Sequence, residues 1–203
     1  MKVLNADFVT SAARADGIPR DELPRIALAG RSNVGKSSLI NALCRAKVAR
    51  TSAAPGKTRL VNFYRVLLEG GPGGPGRWSA YLVDLPGYGY ARGGPASAAE
   101  LAGVAAAYFA DGEQPARTAL LLIDSRHPEL PADAAAATWL KGLGVEIRLI
   151  ATKIDKLSRA ERARNLGILE KTFGMSALPV SAASGEGMDE LWRTIARLTR
   201  NAA

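Results

Sequence analysis

The apolar run Arg25-Ile26-Ala27-Leu28-Ala29 leads straight into Gly30-Arg31-Ser32-Asn33-Val34-Gly35-Lys36-Ser37-Ser38, and the chain then enters a helical stretch carrying Leu43 and Cys44. A short apolar strand, a glycine-bracketed loop and a helix in that order match the full pattern G-x-x-x-x-G-K-[ST] in its proper context. The glycines let the backbone wrap closely around a polyphosphate, while loop amides and the helix N-terminus supply fixed positive potential. Lys36 reaches the β and γ phosphates, and Ser37 offers a hydroxyl to Mg²⁺.

The rest of the 203-residue chain continues the alternation of short apolar runs with longer amphipathic ones, the pattern of an α/β protein on a mostly parallel sheet. Strands are predicted at 25–29, 60–68, 78–83, 118–124, 146–152 and 177–180. The second and third are joined by Glu-Gly-Gly-Pro-Gly-Gly-Pro-Gly-Arg, too short for a helical crossover, so they form an antiparallel hairpin. Helices are predicted at 96–110 and 132–143, the latter turning Trp139, Leu140 and Leu143 inward. Ser158 and Glu161 have the spacing of a capping box that opens a helix with Leu166, Leu169 and Phe173 facing the core. A last helix from Met188 buries Leu191, Trp192, Ile195 and Leu198 and shows an outer stripe of Arg193, Arg197 and Arg200. Residues 1–22 read as a lead-in to one domain spanning 23–203.

Two further loops give the phosphate loop a ligand. Asp84-Leu85-Pro86-Gly87 closes the third strand, where a carboxylate can hold Mg²⁺ through water and the Gly87 amide can sense a γ phosphate. Thr152-Lys153-Ile154-Asp155 closes the fifth. The Asp155 carboxylate can accept from both N1–H and N2–H₂ of guanine, a donor pair that adenine lacks. Lys153 can lay its stem over the purine, and Ser181-Ala182-Ala183 can place a backbone amide near guanine O6. The three loops together specify GTP and GDP.

Charge and composition narrow the class. With 47% hydrophobic and 23% charged residues, the chain is that of an ordinary soluble domain, neither disordered nor membrane-spanning. The N-terminal residues carry acids and have no secretory-signal pattern, so a cytoplasmic location without a membrane partner is expected. One cysteine and one histidine exclude a disulfide framework or a thiol or histidine metal cluster. Cys44 reads as a small core residue and His127 as a loop residue. The net charge is +8, and no acid lies between Glu22 and Glu69, whereas Arg25, Arg31, Lys36, Arg45, Lys47, Arg50, Lys57, Arg59 and Arg65 do. Such a stretch suits phosphate-rich partners.

With these motifs in order the chain resembles the translation-factor-related GTPases, and among them the EngB-type ribosome-biogenesis GTP-binding proteins. The likeness rests on Gly30 to Ser38, Pro55-Gly56-Lys57-Thr58, Val61-Asn62-Phe63, Asp84 to Ala91, Leu122 to Pro128 and Thr152 to Leu157. It implies a P-loop GTPase fold, a three-layer sandwich with a mixed six-stranded sheet, one strand antiparallel, and helices on both faces. It also implies Thr58 as the switch I threonine that completes Mg²⁺ coordination with Ser37 and Asp84, and Thr152 in a place where many GTPases have Asn. The expected partner is an assembly intermediate of the large ribosomal subunit, its rRNA and ribosomal proteins, with a further role in cell division and septation. A monomer is expected. Arg59, Arg25 and Leu28 depart from the family's usual Gln, Glu and Phe, which bears on partner contacts.

Small signalling GTPases orient the attacking water with a Gln directly after D-x-x-G, but here Tyr88 follows Gly87. Slow intrinsic hydrolysis is therefore expected, driven by Lys36, the loop amides, Mg²⁺ and a group that neutralises charge between the β and γ phosphates. Asn33 either supplies a carbonyl to a K⁺ ion at that place or only tolerates a tight turn. Tyr88 keeps open an RNA- or ribosome-binding scaffold with vestigial hydrolysis. A P-loop small-molecule kinase is the remaining alternative, disfavoured by Asp155 and by the lack of an acceptor lid.

Overall fold

Strands that are apolar along nearly their whole length are buried on both faces, and β2 (Arg25–Gly30) and β5 (Thr118–Asp124) form the parallel centre of the sheet on that account, with β6 (Glu146–Thr152), whose Glu146 and Arg148 are exposed, beside β5. The computed structural model describes residues 1–49, 60–71, 74–88, 94–110 and 118–200. Among these, β1 (Lys2–Ala12), β3 (Val61–Glu69), β4 (Arg77–Asp84) and β7 (Leu178–Pro179) complete a seven-stranded sheet in the order β1-β3-β4-β2-β5-β6-β7. The predicted hairpin is present, with Glu69 opposite Arg77 and Asn62 opposite Asp84. Because β1 pairs antiparallel with β3, β3 alone runs against the other six.

Helices cover both faces. On one side α1 (Lys36–Cys44) and α5 (Met188–Arg200) pack on Leu28, Leu82, Leu120, Leu122 and Ile150. The Trp192 indole N–H donates to the Leu43 carbonyl at 3.2 Å, tying α5 to the end of α1. On the other side α2 (Gly94–Ala110), α3 (Pro131–Gly142) and α4 (Arg159–Phe173) bring Tyr108, Leu140, Leu169 and Phe173 onto Ala27, Val83, Leu121 and Leu149. The Ser158–Glu161 capping box is formed in both directions. Cys44 is buried, and burial pushes its thiol up to about 12, which makes it a packing residue.

Two expectations change. The sheet has seven strands rather than six, because the lead-in supplies β1. Its register shifts twice, between Val3 and Asn5 and between Phe8 and Thr10, so the period of two that marks a half-buried strand is confined to the five residues from Leu4 to Phe8. Phe8, 51% exposed, touches Tyr64 edge-on at 5.8 Å. Leu143, expected inward, caps α3 from outside the helix and is 40% exposed, while Leu140 is fully buried.

Candidate nucleotide-binding site

Parallel strands deliver their chemistry at their carboxyl ends. Gly30 ends β2, Asp84 ends β4, Asp124 ends β5 and Thr152 ends β6, with Leu28 in register with Asp84 and Asp124 with Thr152. The phosphate loop crosses this edge between β2 and α1. A Cβ on Gly30 would lie 2.8 Å from Val34 Cγ1 and 3.0 Å from the Leu122 carbonyl, so only glycine fits. Gly35 caps α1 at φ 110°, a left-handed turn that L side chains resist. The first amides of α1, from Lys36, Ser37 and Ser38, thus face into the loop as an anion cradle.

The Lys36 ammonium donates to the Gly30 carbonyl at 2.9 Å and lies 3.4 Å from that of Arg31. Burial lowers its pKa, and the neighbouring Asp84 charge opposes that shift. Burial likewise raises Asp84 to about 6, against the pull of Lys36 and of a hydrogen bond from Ser37. Asp84 Oδ1 is buried without a hydrogen-bond partner among the described residues. A buried carboxylate oxygen of this kind beside a serine hydroxyl fits a hard, oxygen-seeking cation. Among the described residues no group of three or more acidic, histidine or cysteine side chains converges. This suits Mg²⁺, which takes most of its oxygens from phosphates and water.

At the other end of the loop the residues expected to read guanine form a connected network. The Thr152 hydroxyl donates to the Val34 carbonyl at 2.9 Å and lies 3.1 Å from the Ile123 carbonyl, so the threonine performs the loop-tying job that an asparagine would. Lys153 adopts φ 60° and its ammonium donates to the Asn33 carbonyl at 2.6 Å and to Asp124 Oδ2 at 2.9 Å. The Asp155 carboxylate accepts from the Ser181 hydroxyl at 2.6 Å, the main influence lowering its pKa. Ser181 Oγ in turn accepts from the Ala183 and Ser184 amides at 3.2 and 3.1 Å. Ile154 is fully buried and anchors the loop.

Some residues fall elsewhere. Pro55, Gly56, Lys57 and Thr58 lie outside the described residues, as does Arg50. His127 is exposed in a turn held by its own amide donating to the Asp124 carbonyl at 2.9 Å, as its loop reading expected. Asn33 is exposed with φ 65°, the left-handed turn that was one of its two readings, and its main-chain carbonyl is engaged by Lys153.

Sequence reading missed two aspartates. Asp124 accepts from Arg126 at 2.9 and 2.8 Å as well as from Lys153. Against the desolvation cost of burial, those hydrogen bonds hold its carboxyl down at about 2. Asp133, 0% exposed at the start of α3, accepts the Tyr88 hydroxyl at 3.0 Å. Arg31 Nε stands 3.2 Å from the same oxygen, an ion pair by distance whose N–H is not aligned for a hydrogen bond. Burial raises the Asp133 pKa, with Tyr88 and Arg31 opposing. A polar residue on the inner face of an alanine-rich helix was the one available signal.

A phosphate loop at the end of β2, a buried D-x-x-G carboxylate beside it and a serine-braced aspartate behind it define a P-loop GTPase. The model of the 50S ribosome-binding GTPase family matches residues 25–153. The probable GTP-binding protein EngB of Solibacter usitatus is 42% identical over 196 residues, 96% of each chain. That of Pelotomaculum thermopropionicum is 42% identical over 205 residues, covering 97% of this chain and 96% of its own. The chain belongs to the EngB family of GTP-binding proteins. Among solved structures, a probable GTP-binding protein EngB superposes with TM-score 0.66 at 24% identity, over 87% of this chain and 99% of that one. Era in complex with MgGDPNP and a segment of 16S ribosomal RNA gives 0.70 at 24% identity, over 87% and 56%.

Proposed function

We propose that this GTPase is a slow switch that docks on an assembly intermediate of the large ribosomal subunit when GTP orders its switch loops. The observation that carries the reading is the acid-free cationic stretch leading into switch I. Its described part is built to stand out: the Asn41 amide donates to the Ala49 carbonyl at 2.8 Å and accepts from the Ala49 amide at 2.8 Å. This clasp closes the turn after α1 and leaves Arg45 and Lys47 exposed on it. Fixed, exposed cations beside the element that senses the third phosphate suit rRNA phosphates, and the family model's description as 50S ribosome-binding supports the same partner.

In this reading Gly30 to Ser38 cradle the phosphates, Asp155 and Ser181-Ala182-Ala183 read guanine, and Asp84, Ser37 and Thr58 hold Mg²⁺. When bound, Mg²⁺ neutralises charge on the phosphate oxygens. The chain's own part is positional: Lys36 and the amides of α1 stabilise the charge that grows on the leaving diphosphate. Asn33 would offer its side-chain carbonyl to a K⁺ ion whose charge would offset that of the phosphates, which turnover compared in potassium and sodium buffers tests. The protein acts as a cytoplasmic monomer, a single G domain that includes β1, and by family also serves septation.

Sedimentation with purified ribosomal subunits tests the partner: the protein pellets with the large subunit in a GTP analogue and stays in the supernatant with GDP. Replacing Arg45, Lys47 and Arg50 together lowers the slope of binding against salt by about one for each rRNA phosphate left without its cation. Equal pelleting in both nucleotides, or no change in the slope, would refute the reading. One observation favours a scaffold with vestigial hydrolysis instead: the Tyr88 hydroxyl, in the place where a water-orienting Gln would stand, donates to Asp133. Multiple turnover in the presence of subunits decides between the two.

A further inference from the structure

We infer that Asp133 is a positioning residue that holds Tyr88, and with it Gly87, over the place of the third phosphate, so that this pair of side chains sets the preference of the site between GDP and GTP. The inference rests on the reading that Lys36 and Gly87 flank the γ phosphate.

Three contacts lay this segment on the phosphate loop. The Ser32 amide donates to the Tyr88 carbonyl at 3.0 Å, and Arg31 and Tyr88 pair as an isolated parallel bridge. The Tyr88 hydroxyl donates to the fully buried Asp133 at 3.0 Å. As a result Gly87 is packed so closely that a Cβ on it would stand 2.9 Å from Ser32 Oγ, 3.0 Å from the Ser32 amide and 3.1 Å from Lys36 Nζ. Gly87 thus stands against Ser32 and the Lys36 ammonium, and a phosphoryl group that accepts from both Lys36 and the Gly87 amide has to displace this contact. The main-chain amides of Lys36, Ser37 and Ser38 take no part in these contacts, so on this inference a diphosphate binds with Tyr88 in place and a triphosphate requires it to leave.

Asp133 is the fixed end of the device. It sits in the first turn of α3, a helix packed on the sheet through Leu140 and Ala137, and it also faces Arg31 of the phosphate loop. It therefore spans the loop and the segment after D-x-x-G without touching nucleotide. A ligand compatible with only one of two arrangements binds with its intrinsic affinity reduced by the fraction of molecules in that arrangement, while a ligand compatible with both pays no such cost. GTP is the first kind and GDP the second.

The test is equilibrium binding of GDP and of a non-hydrolysable GTP analogue to the full chain and to Tyr88→Phe, Asp133→Ala and the double variant. Tyr88→Phe removes one hydroxyl and keeps the ring, so it reports even if Asp133→Ala folds poorly. Each single variant tightens the analogue relative to GDP by about three- to tenfold, the range of one hydrogen bond, and the double variant gains no more than the larger single change because both cut the same link. An unchanged ratio in Tyr88→Phe, or gains that add in the double variant, overturns the inference. Failure of the unaltered protein to bind the analogue at all would instead remove the underlying reading of the γ-phosphate place.

Discussion

The two ends of the nucleotide site are built differently. At the guanine end each polar group that matters is already engaged: Thr152 with Val34, Lys153 with Asn33 and Asp124, Asp155 with Ser181. At the phosphate end Lys36 leans on main-chain carbonyls, Asp84 keeps a buried oxygen without a partner among the described residues, and Gly87 rests against the loop. Satisfied networks in a low-dielectric setting are rigid, and partly satisfied ones are ready to exchange partners. On the proposed function the first end recognises which nucleotide is present, and the second reports how many phosphates it carries.

The widest break in that comparison comes from Lys36→Ala. Losing a buried cation placed to bond both the β and γ phosphates weakens binding of a non-hydrolysable GTP analogue on the order of a thousandfold, while titration calorimetry still finds guanine preferred over adenine. Asp155→Asn does the reverse: guanine affinity falls about a hundredfold and preference moves to xanthine nucleotides, with the phosphate cradle intact. Unchanged base preference in that variant would mean that guanine is read elsewhere.

Two carboxylates sharpen the contrast through pH. Asp124 has a folded pKa of about 2 against an ordinary 3.8, so its contribution is complete above 3.8 and is lost as pH falls toward 2. That shift corresponds to about 2 kcal/mol, and Asp124→Asn flattens the acid limb of stability measured by urea unfolding between those values. Asp84, raised to about 6, has the opposite sign: its ionisation opposes folding above about 6, and the penalty is gone below 3.8. Removing both charges leaves a profile without either slope. The smallest effect is expected from Thr152→Val, which leaves the Val34 carbonyl without its donor and costs about 1 kcal/mol, seen as a lower urea midpoint with base preference kept.

Much of this was legible in the chain because the signals are local. Gly30 to Ser38, Asp84 to Gly87 and Thr152 to Asp155 are contiguous, each follows an apolar run, and the run itself predicts a strand whose end is the site. Ser158 and Glu161 are three residues apart and their bond is decided within one turn. β1 escaped because its bulges break the alternation that marks a strand, and its place beside β3 depends on pairing across more than fifty residues. Asp124 escaped because nothing near it in sequence distinguishes a buried, bonded aspartate from a solvated one, and Asp133 because its one signal, a polar residue on the inner face of an alanine-rich helix, does not reveal the partners it meets.

The sequence by itself determined the ligand class, the order of strands and helices after β1, and the hairpin, since phosphate loops, turns and periodicity act over a few residues. Only the tertiary structure decided that Tyr88 answers to Asp133, that Lys153 is shared between Asn33 and Asp124, and that Leu143 faces outward. Those outcomes depend on which side chains meet when separate strands end at one edge, and on burial making each unpartnered charge too costly to leave alone.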